Sequence, residues 1–178
     1  MIQDSNEIKT AADDKSWFAL YTKPRNEFKA AEQIESIGVE FFLPTITKIK
    51  QWSDRKKKIT EPLLRGYILI FANEKQRVLS LEQKSIVRCV FDLGKPAKIP
   101  QWQIDNLKTV LNTHSEVSIK EGLVPGVRVL ITSGPFEGVI GKVQDSENGK
   151  TIAVSIDLLN RSVIAHLSKE NIFKVIEE

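Results

Sequence analysis

Five short segments rich in β-branched residues follow one another between Val127 and Val175. The turn signals that separate them include Ser133-Gly134-Pro135, Asn148-Gly149 and Asn160-Arg161. Each interior glycine costs about 1 kcal/mol in a helix and a proline about 3 kcal/mol, which disfavours a long helix over residues 127–149. Short segments at even spacing predict strands, and a closed barrel leaves no strand edge unpaired. We therefore predict a small five-stranded β-barrel over residues 126–178.

The chain before residue 113 alternates segments typical of strands and helices. The apolar run Trp17–Thr22 has the length of a strand, Pro24 suits the first turn of a helix, and Gly38 suits its end. The patterns predict strands over 17–22, 39–43, 66–71 and 86–91, a hairpin from 46–50 and 56–61, and helices over 24–37, 74–84 and after Pro100. The predicted fold class is α+β, with an α/β sandwich-type domain before the barrel. The predicted boundaries are 1–16 for a flexible tail, 17–112 for the first domain, 113–125 for a linker and 126–178 for the barrel.

The composition places the chain among soluble proteins of a reducing compartment. It has 178 residues, of which 41% are hydrophobic and 28% charged, and a single cysteine, Cys89. One cysteine excludes an internal disulfide and a multi-cysteine metal site. The N-terminus is polar and acidic and no apolar run is long enough to cross a bilayer. The predicted location is therefore the cytoplasm, with no membrane contact.

The net charge of +3 is unevenly distributed along the chain. Residues 17–112 carry 17 Lys and Arg against 10 acidic residues, whereas residues 113–178 carry seven against nine. Lys48–Lys58 alone holds six positive side chains, and the aromatic residue Trp52 lies within the same segment. Such a patch can bind a polyanion, and Arg55, Lys56, Lys57 and Lys58 are its densest part. The alternative is a solvated hairpin whose lysines keep it soluble.

The residues offer little support for catalysis. The two histidines, His114 and His166, have no partner at the spacing of metal ligands, and no phosphate-binding or nucleophile motif is present. Cys89 lies in an apolar strand, where a thiol behaves as a small hydrophobe. We predict no enzyme activity, no metal and no cofactor, and an enzyme with an unfamiliar site remains a rival interpretation.

Two sets of motifs resemble one known family. The first set consists of Trp17-Phe18, Lys23, Leu43-Pro44, Gly66-Tyr67 and Gly94-Lys95-Pro96. The second consists of Gly126, Val127, Val129, Gly134-Pro135-Phe136-Glu137-Gly138 and Gly141. The first set is similar to the NGN domain of the NusG family of transcription elongation factors, and the second resembles its KOW domain, an SH3-like barrel. Residues 17–36 and 51–67 resemble the specialised paralogs of the RfaH and UpxY kind.

The resemblance implies that the first domain binds the clamp helices of bacterial RNA polymerase through an apolar depression and suppresses pausing. The matching positions are Tyr21, Leu64, Tyr67 and Leu69. A tyrosine that buries its ring while its hydroxyl stays in water is a common interface anchor. The alternative is that Tyr67 and Leu69 are sheet core, because strand residues alternate between the two faces.

The resemblance to the specialised paralogs also implies a contact with the exposed non-template DNA strand. The matching positions at the start of the first helix are Lys23, Arg25, Asn26 and Lys29. Arg25 and Asn26 are the candidates for reading a base edge, since a bidentate side chain carries sequence information and a phosphate contact does not. The alternative is a solvated first turn, although cations there oppose the helix dipole.

We therefore predict a monomeric, non-enzymatic transcription elongation and antitermination factor. Its expected partners are bacterial RNA polymerase, the non-template DNA strand and, through the KOW domain, a ribosomal protein or a termination factor. The rival within the same fold is a KOW-containing RNA-binding or ribosome-associated protein. The negative balance of residues 113–178 is unfavourable for gripping an RNA backbone.

Overall fold

The computed structural model describes residues 14–52, 55–113, 117–122, 125–147 and 149–176. The strands are β1 (Ser16–Thr22), β2 (Glu40–Phe42), β3 (Thr45–Gln51), β4 (Lys56–Pro62), β5 (Tyr67–Ala72), β6 (Ile86–Cys89), β7 (Phe91–Asp92), β8 (Lys95–Pro96), β9 (Lys98–Ile99), β10 (Val117–Glu121), β11 (Val127–Ser133), β12 (Ile140–Ser146), β13 (Gly149–Ile156), β14 (Arg161–His166) and β15 (Ile172–Val175). The helices are α1 (Glu27–Ser36), α2 (Glu74–Leu81) and α3 (Gln101–Asn112), with a 3-10 turn at Asp157–Leu159. The predicted mixture of helices and strands is confirmed.

The chain divides into two compact units. The first is drawn from Met1–Leu43 and Arg65–Lys98, and the second from Pro44–Leu64 and Ile99–Glu178. The predicted domain boundaries stay a prediction. Most of the predicted N-terminal tail lies outside the described residues, as do His114 and parts of the predicted linker.

The first unit is built on an antiparallel sheet with the strand order β2-β5-β1-β6. Its side chains alternate between two faces, as strand geometry requires. Ile68, Ile70 and Ala72 of β5 join Phe18 and Leu20 of β1 in a buried core, which is completed by residues of α1. The strand β5 is interior, as its hydrophobicity predicts.

Helix α1 begins three residues later than predicted. Pro24 lies in a turn, and the helix runs from Glu27 to Ser36. Helix α2 begins as predicted at Glu74, because Asn73 and Gln76 form a reciprocal capping box. The strand predicted over 86–91 is interrupted at Val90, and Phe91–Asp92 pairs instead with Lys95–Pro96 in a short hairpin that the pattern did not predict.

The second unit contains the predicted basic hairpin. Strands β3 and β4 pair from Thr45↔Pro62 to Gln51↔Lys56, so the hairpin is confirmed. The Leu63 amide donates to the Pro44 carbonyl at 2.7 Å and closes its base. Ser53 and Asp54 at its tip lie outside the described residues.

The second unit also contains a six-stranded antiparallel sheet, in the order β10-β14-β13-β12-β11-β15. Strands β11 to β15 confirm the five predicted strands, while closure into a KOW barrel stays a prediction. The additional strand, β10, falls within residues predicted to be a linker and pairs along its length with β14. The pattern missed it because Val117–Glu121 is short and mostly exposed.

Helix α3 follows Pro100 as predicted and packs against β13. Two buried side-chain amides attach it to the sheet. Gln103 Nε2 donates to Asp157 Oδ2 at 2.8 Å, and the Asp157 amide donates back to Gln103 Oε1 at 3.3 Å. Asn106 Nδ2 donates to the Ile140 carbonyl at 2.8 Å, and the Ile140 amide donates to Asn106 Oδ1 at 3.1 Å. These reciprocal bonds define the register of helix and sheet.

Candidate functional site

A row of two tyrosines and an arginine crosses one face of the first sheet. Tyr21 of β1 lies between Tyr67 of β5 and Arg88 of β6, and each neighbour is its direct cross-strand partner. The tyrosine ring centroids are 4.7 Å apart at 40°, and the Tyr67 hydroxyl donates to Tyr21 Oη at 3.1 Å. The Arg88 guanidinium lies 4.6 Å from the Tyr21 ring centroid, within the range of a cation–π contact. We call these three residues the tyrosine row.

The exposure of the predicted apolar depression differs from residue to residue. Tyr21 and Tyr67 are half-buried, and the structure brings them together. Leu69 lies two residues beyond Tyr67, on the same sheet face, and is fully buried. Leu64 is also buried and belongs to the second compact unit. The accessible part of the predicted set is therefore the pair of tyrosines.

The turn before α1 holds an arginine in an unusual backbone conformation. The Asn26 amide donates to the Lys23 carbonyl at 3.0 Å, with Pro24 and Arg25 between them. Arg25 has φ +61°, in the left-handed region. A proline followed by a positive φ is the arrangement of a type II turn, in which glycine or asparagine normally takes the position of Arg25. Such a conformation costs about 1 kcal/mol or more for other residues.

Three exposed cationic side chains and one asparagine side chain surround this turn. Lys23, Arg25 and Lys29 are exposed, and Asn26 is half-buried. Asn26 Nδ2 donates to the Pro24 carbonyl at 2.9 Å, and the side chain makes no capping bond to α1. The predicted nucleic-acid residues thus lie on one turn and the following helical turn. We call Lys23 to Asn26 the basic turn.

A buried glutamate fastens this turn to the start of β5. Glu27 is 6% exposed, and its Oε1 accepts a hydrogen bond from the Gly66 amide at 2.8 Å. The Gly66 carbonyl accepts from the Thr22 amide at 2.9 Å. Because Gly66 immediately precedes Tyr67, these two bonds hold the basic turn and the tyrosine row in one local framework.

The sequence motifs do not indicate Arg88 or Glu27 as part of the site. The signal for Arg88 was a cation on a strand adjoining an aromatic strand, but the pairing of β6 with β1 is a tertiary property. The sequence signal for Glu27 is an acidic side chain in the first turn of a helix, where a carboxylate interacts favourably with the unpaired backbone amides.

The basic hairpin presents its cations to solvent. Arg55, Lys56, Lys57 and Lys58 are all exposed. Lys57 Nζ lies 5.9 Å from the centroid of the Trp52 ring, which is itself half-exposed. Lys56 and Lys57 are adjacent on β4 and so project to opposite faces of the hairpin. The basic patch is therefore divided between two faces.

Helix α2 carries an ion pair beside the single cysteine. Arg77 Nε and Nη2 donate to Glu74 at 2.8 and 2.5 Å. The hydrogen bond from Arg77 holds the pKa of Glu74 below its ordinary value, and the same bond raises the pKa of Arg77. Burial raises the pKa of the Cys89 thiol. Cys89 is thus a protonated, buried group at neutral pH, as expected of a core residue.

Within the described ranges, no three His, Cys, Asp or Glu side chains are grouped so that they could hold a metal ion. Among these residues, no helix is long and apolar enough to span a membrane.

Residues 15–108 match the model of a protein family described as "Transcription termination factor nusG". The chain belongs to the NusG family. The matched range contains the tyrosine row, the basic turn and the basic hairpin. This NusG-family chain is a NusG-like transcription termination/antitermination factor.

Two curated proteins show the extent of the similarity. The transcription termination/antitermination protein NusG of Pasteurella multocida is 26% identical over 155 residues, covering 83% of this chain and 84% of the relative. The protein of the same name from Haemophilus influenzae is 24% identical over 183 residues, covering 94% and 98%.

A solved structure described as "Domain interaction in Thermotoga maritima NusG" matches the fold. The TM-score is 0.53 at 20% sequence identity, covering 93% of this chain and 99% of that one. The likeness extends through both halves of the chain.

Proposed function

We propose that this NusG-family factor binds the clamp helices of RNA polymerase through the tyrosine row and thereby suppresses pausing. The observation that carries the proposal is the adjacent pair of half-buried tyrosines, Tyr21 and Tyr67, whose rings are tilted at 40° and whose hydroxyls are 3.1 Å apart. Paired rings offer apolar area in a fixed orientation, and the hydrogen bond between the two hydroxyls holds that orientation. Tyrosine and arginine are the residue types enriched among interface anchors.

Leu69 and Leu64 have supporting roles in this proposal. Both are buried, so truncating either would remove packing before it removed a contact with polymerase. Arg88 is the polar edge of the surface and can pair with a carboxylate of the partner.

The basic turn is the proposed contact with the non-template DNA strand. A non-glycine residue at φ +61° is maintained against a local cost, and such strain is concentrated at functional sites. Lys23 and Lys29 supply phosphate contacts, and Arg25 and Asn26 can reach a base edge. The lysines of the basic hairpin form a secondary contact.

The remaining features are proposed from the family. Residues 17–112 form an NGN domain, 113–125 connect it to a KOW barrel at 126–178, and the KOW domain binds a ribosomal protein or a termination factor. The factor acts as a monomer and by binding alone, without catalysis.

A binding measurement with core RNA polymerase tests the proposal. Loss of an anchor costs about 2 kcal/mol, so Tyr67→Ala should weaken binding roughly 30-fold or more. It should also abolish the lengthening of transcripts on a template with a pause site. Tyr67→Phe keeps the ring and should retain most of the affinity.

Phe91→Ala is the matched control, because Phe91 is an exposed aromatic of the same unit outside the tyrosine row. It should bind like the wild type. Wild-type affinity of a folded Tyr67→Ala variant would show that polymerase does not bind at this face.

A further inference from the structure

The second unit contains a cavity of about 340 Å³ where the first turn of α3 faces strands β11 to β13. Its volume lies at the lower end of the range of small-molecule sites. Trp102 forms one wall and is 41% exposed, and Arg128 and Lys142 lie on the sheet opposite. The side-chain amides of Gln103 and Asn106 donate hydrogen bonds that hold the helix against the sheet beside the cavity.

The two cations in the wall are direct cross-strand partners. Arg128 of β11 pairs with Lys142 of β12, so their side chains leave the same face of the sheet. Like charges placed opposite each other destabilise a sheet unless an anion neutralises them. No salt bridge joins either cation to a carboxylate in the part of the chain that the structure describes. The pair is therefore suited to an anionic group.

The indole of Trp102 is suited to stacking against a planar ring of a ligand. The Arg128 guanidinium already lies 5.8 Å from the ring centroid, so one side of the cavity combines an aromatic face with a cation. Aromatic side chains of this kind stack on nucleic-acid bases with little regard to sequence.

Two further residues of the cavity wall offer hydrogen-bond acceptors. The Ser162 hydroxyl donates its only proton to the Gly122 carbonyl, so in the 3.0 Å contact between Ser155 Oγ and Ser162 Oγ the donor is Ser155. Ser155 Oγ is left with acceptor capacity only. Asp157 adds a carboxylate, which accepts from Gln103 through Oδ2. These acceptors suit a ligand with hydroxyl or amino donors, such as the diol of a ribose.

We propose that this cavity binds one nucleoside monophosphate, with its base on Trp102, its phosphate at Arg128 and Lys142, and its ribose toward Ser155 and Asp157. The site takes a single nucleotide rather than an RNA strand, because its volume fits one unit.

The test is a titration of the full chain, labelled with ¹⁵N, with AMP and UMP. Either nucleotide should shift the Trp102 indole signal and the amides of Lys142 and Ser155. Adenosine and inorganic phosphate, as the separate parts, should each bind at least about tenfold more weakly, since each makes only part of the contacts. Phosphate binding as tightly as AMP, or no shift with either nucleotide in the millimolar range, would overturn the proposal.

Three variants locate the ligand. Lys142→Gln should weaken AMP about fivefold or more and leave adenosine unchanged, whereas Trp102→Leu should weaken both by a similar factor. Lys169→Gln removes an exposed cation outside the cavity and should change nothing. Circular dichroism and the urea midpoint check that each variant is folded. An RNA hexamer that binds these residues more tightly than AMP would refute the single-nucleotide site.

Discussion

Replacing Arg25 separates the strain of the basic turn from its contact with DNA. At φ +61°, an alanine side chain retains the steric cost of the left-handed region, about 1 to 2 kcal/mol, whereas glycine has none. Glycine loses about 0.5 to 1 kcal/mol through the greater entropy of its unfolded chain. The difference predicts that Arg25→Gly is more stable than Arg25→Ala by about 0.5 to 1 kcal/mol. At an ordinary position with negative φ, the alanine variant is the more stable of the two.

Urea unfolding at constant pH and salt measures this difference, because both variants lose the same side chain. The two variants should be equally defective in contacting the non-template strand. In the elongation complex, the slope of the logarithm of the binding constant against the logarithm of salt concentration should be shallower by about one unit for each variant. Lys75→Ala, at an exposed lysine on α2, is the control for charge loss.

Two results would refute this reasoning. If Arg25→Ala equalled or exceeded Arg25→Gly in stability, the turn would not be strained. If both variants kept the wild-type salt dependence, Arg25 would not contact the strand, and the strain would have no explanation in DNA binding.

Three further perturbations test the framework around the site. Glu27→Ala should lower the free energy of unfolding by about 1 to 3 kcal/mol, because the Gly66 amide loses its acceptor, and Glu27→Gln should lower it less. Arg77 lowers the pKa of Glu74 below 4.5, so the pair's stabilisation is present above that pH and is lost as the pH falls through the lowered pKa. The stability difference between wild type and Glu74→Gln should therefore shrink in acid, and a constant difference would contradict the assignment. Burial should make Cys89 react with iodoacetamide more than about tenfold slower in the folded chain than in urea, and equal rates would show that the thiol is accessible.

Local patterns in the sequence predicted most of the elements. The β-branched segments after Val127 became β11 to β15, and the alternation before residue 113 became α1, α2, α3 and their strands. These elements depend on short-range preferences: side-chain branching, helix caps and the turn residues between them. The motifs also indicated the NusG family, which the family model confirms for residues 15–108.

The start of α1 and the strand β10 differ from the prediction for reasons that the periodicity of apolar residues does not reveal. The sequence pattern predicts Pro24 as the first residue of a helix, but Pro24 lies in a turn, in which Arg25 adopts a positive φ. The sequence pattern does not predict the short β10, because an exposed strand has no apolar alternation and its existence depends on hydrogen bonds to β14.

Tertiary structure alone decided how the chemical groups combine. Tyr21 and Tyr67 are 46 positions apart and meet through the register of β1 with β5, and Arg88 joins them through β6. In the second unit, the bonds of Gln103 and Asn106 to the sheet bring Trp102 to the pair of cations. The sequence determines which side chains each strand and helix carries. Which of them become neighbours is determined by pairing register and helix docking, because these bring together residues distant in the chain.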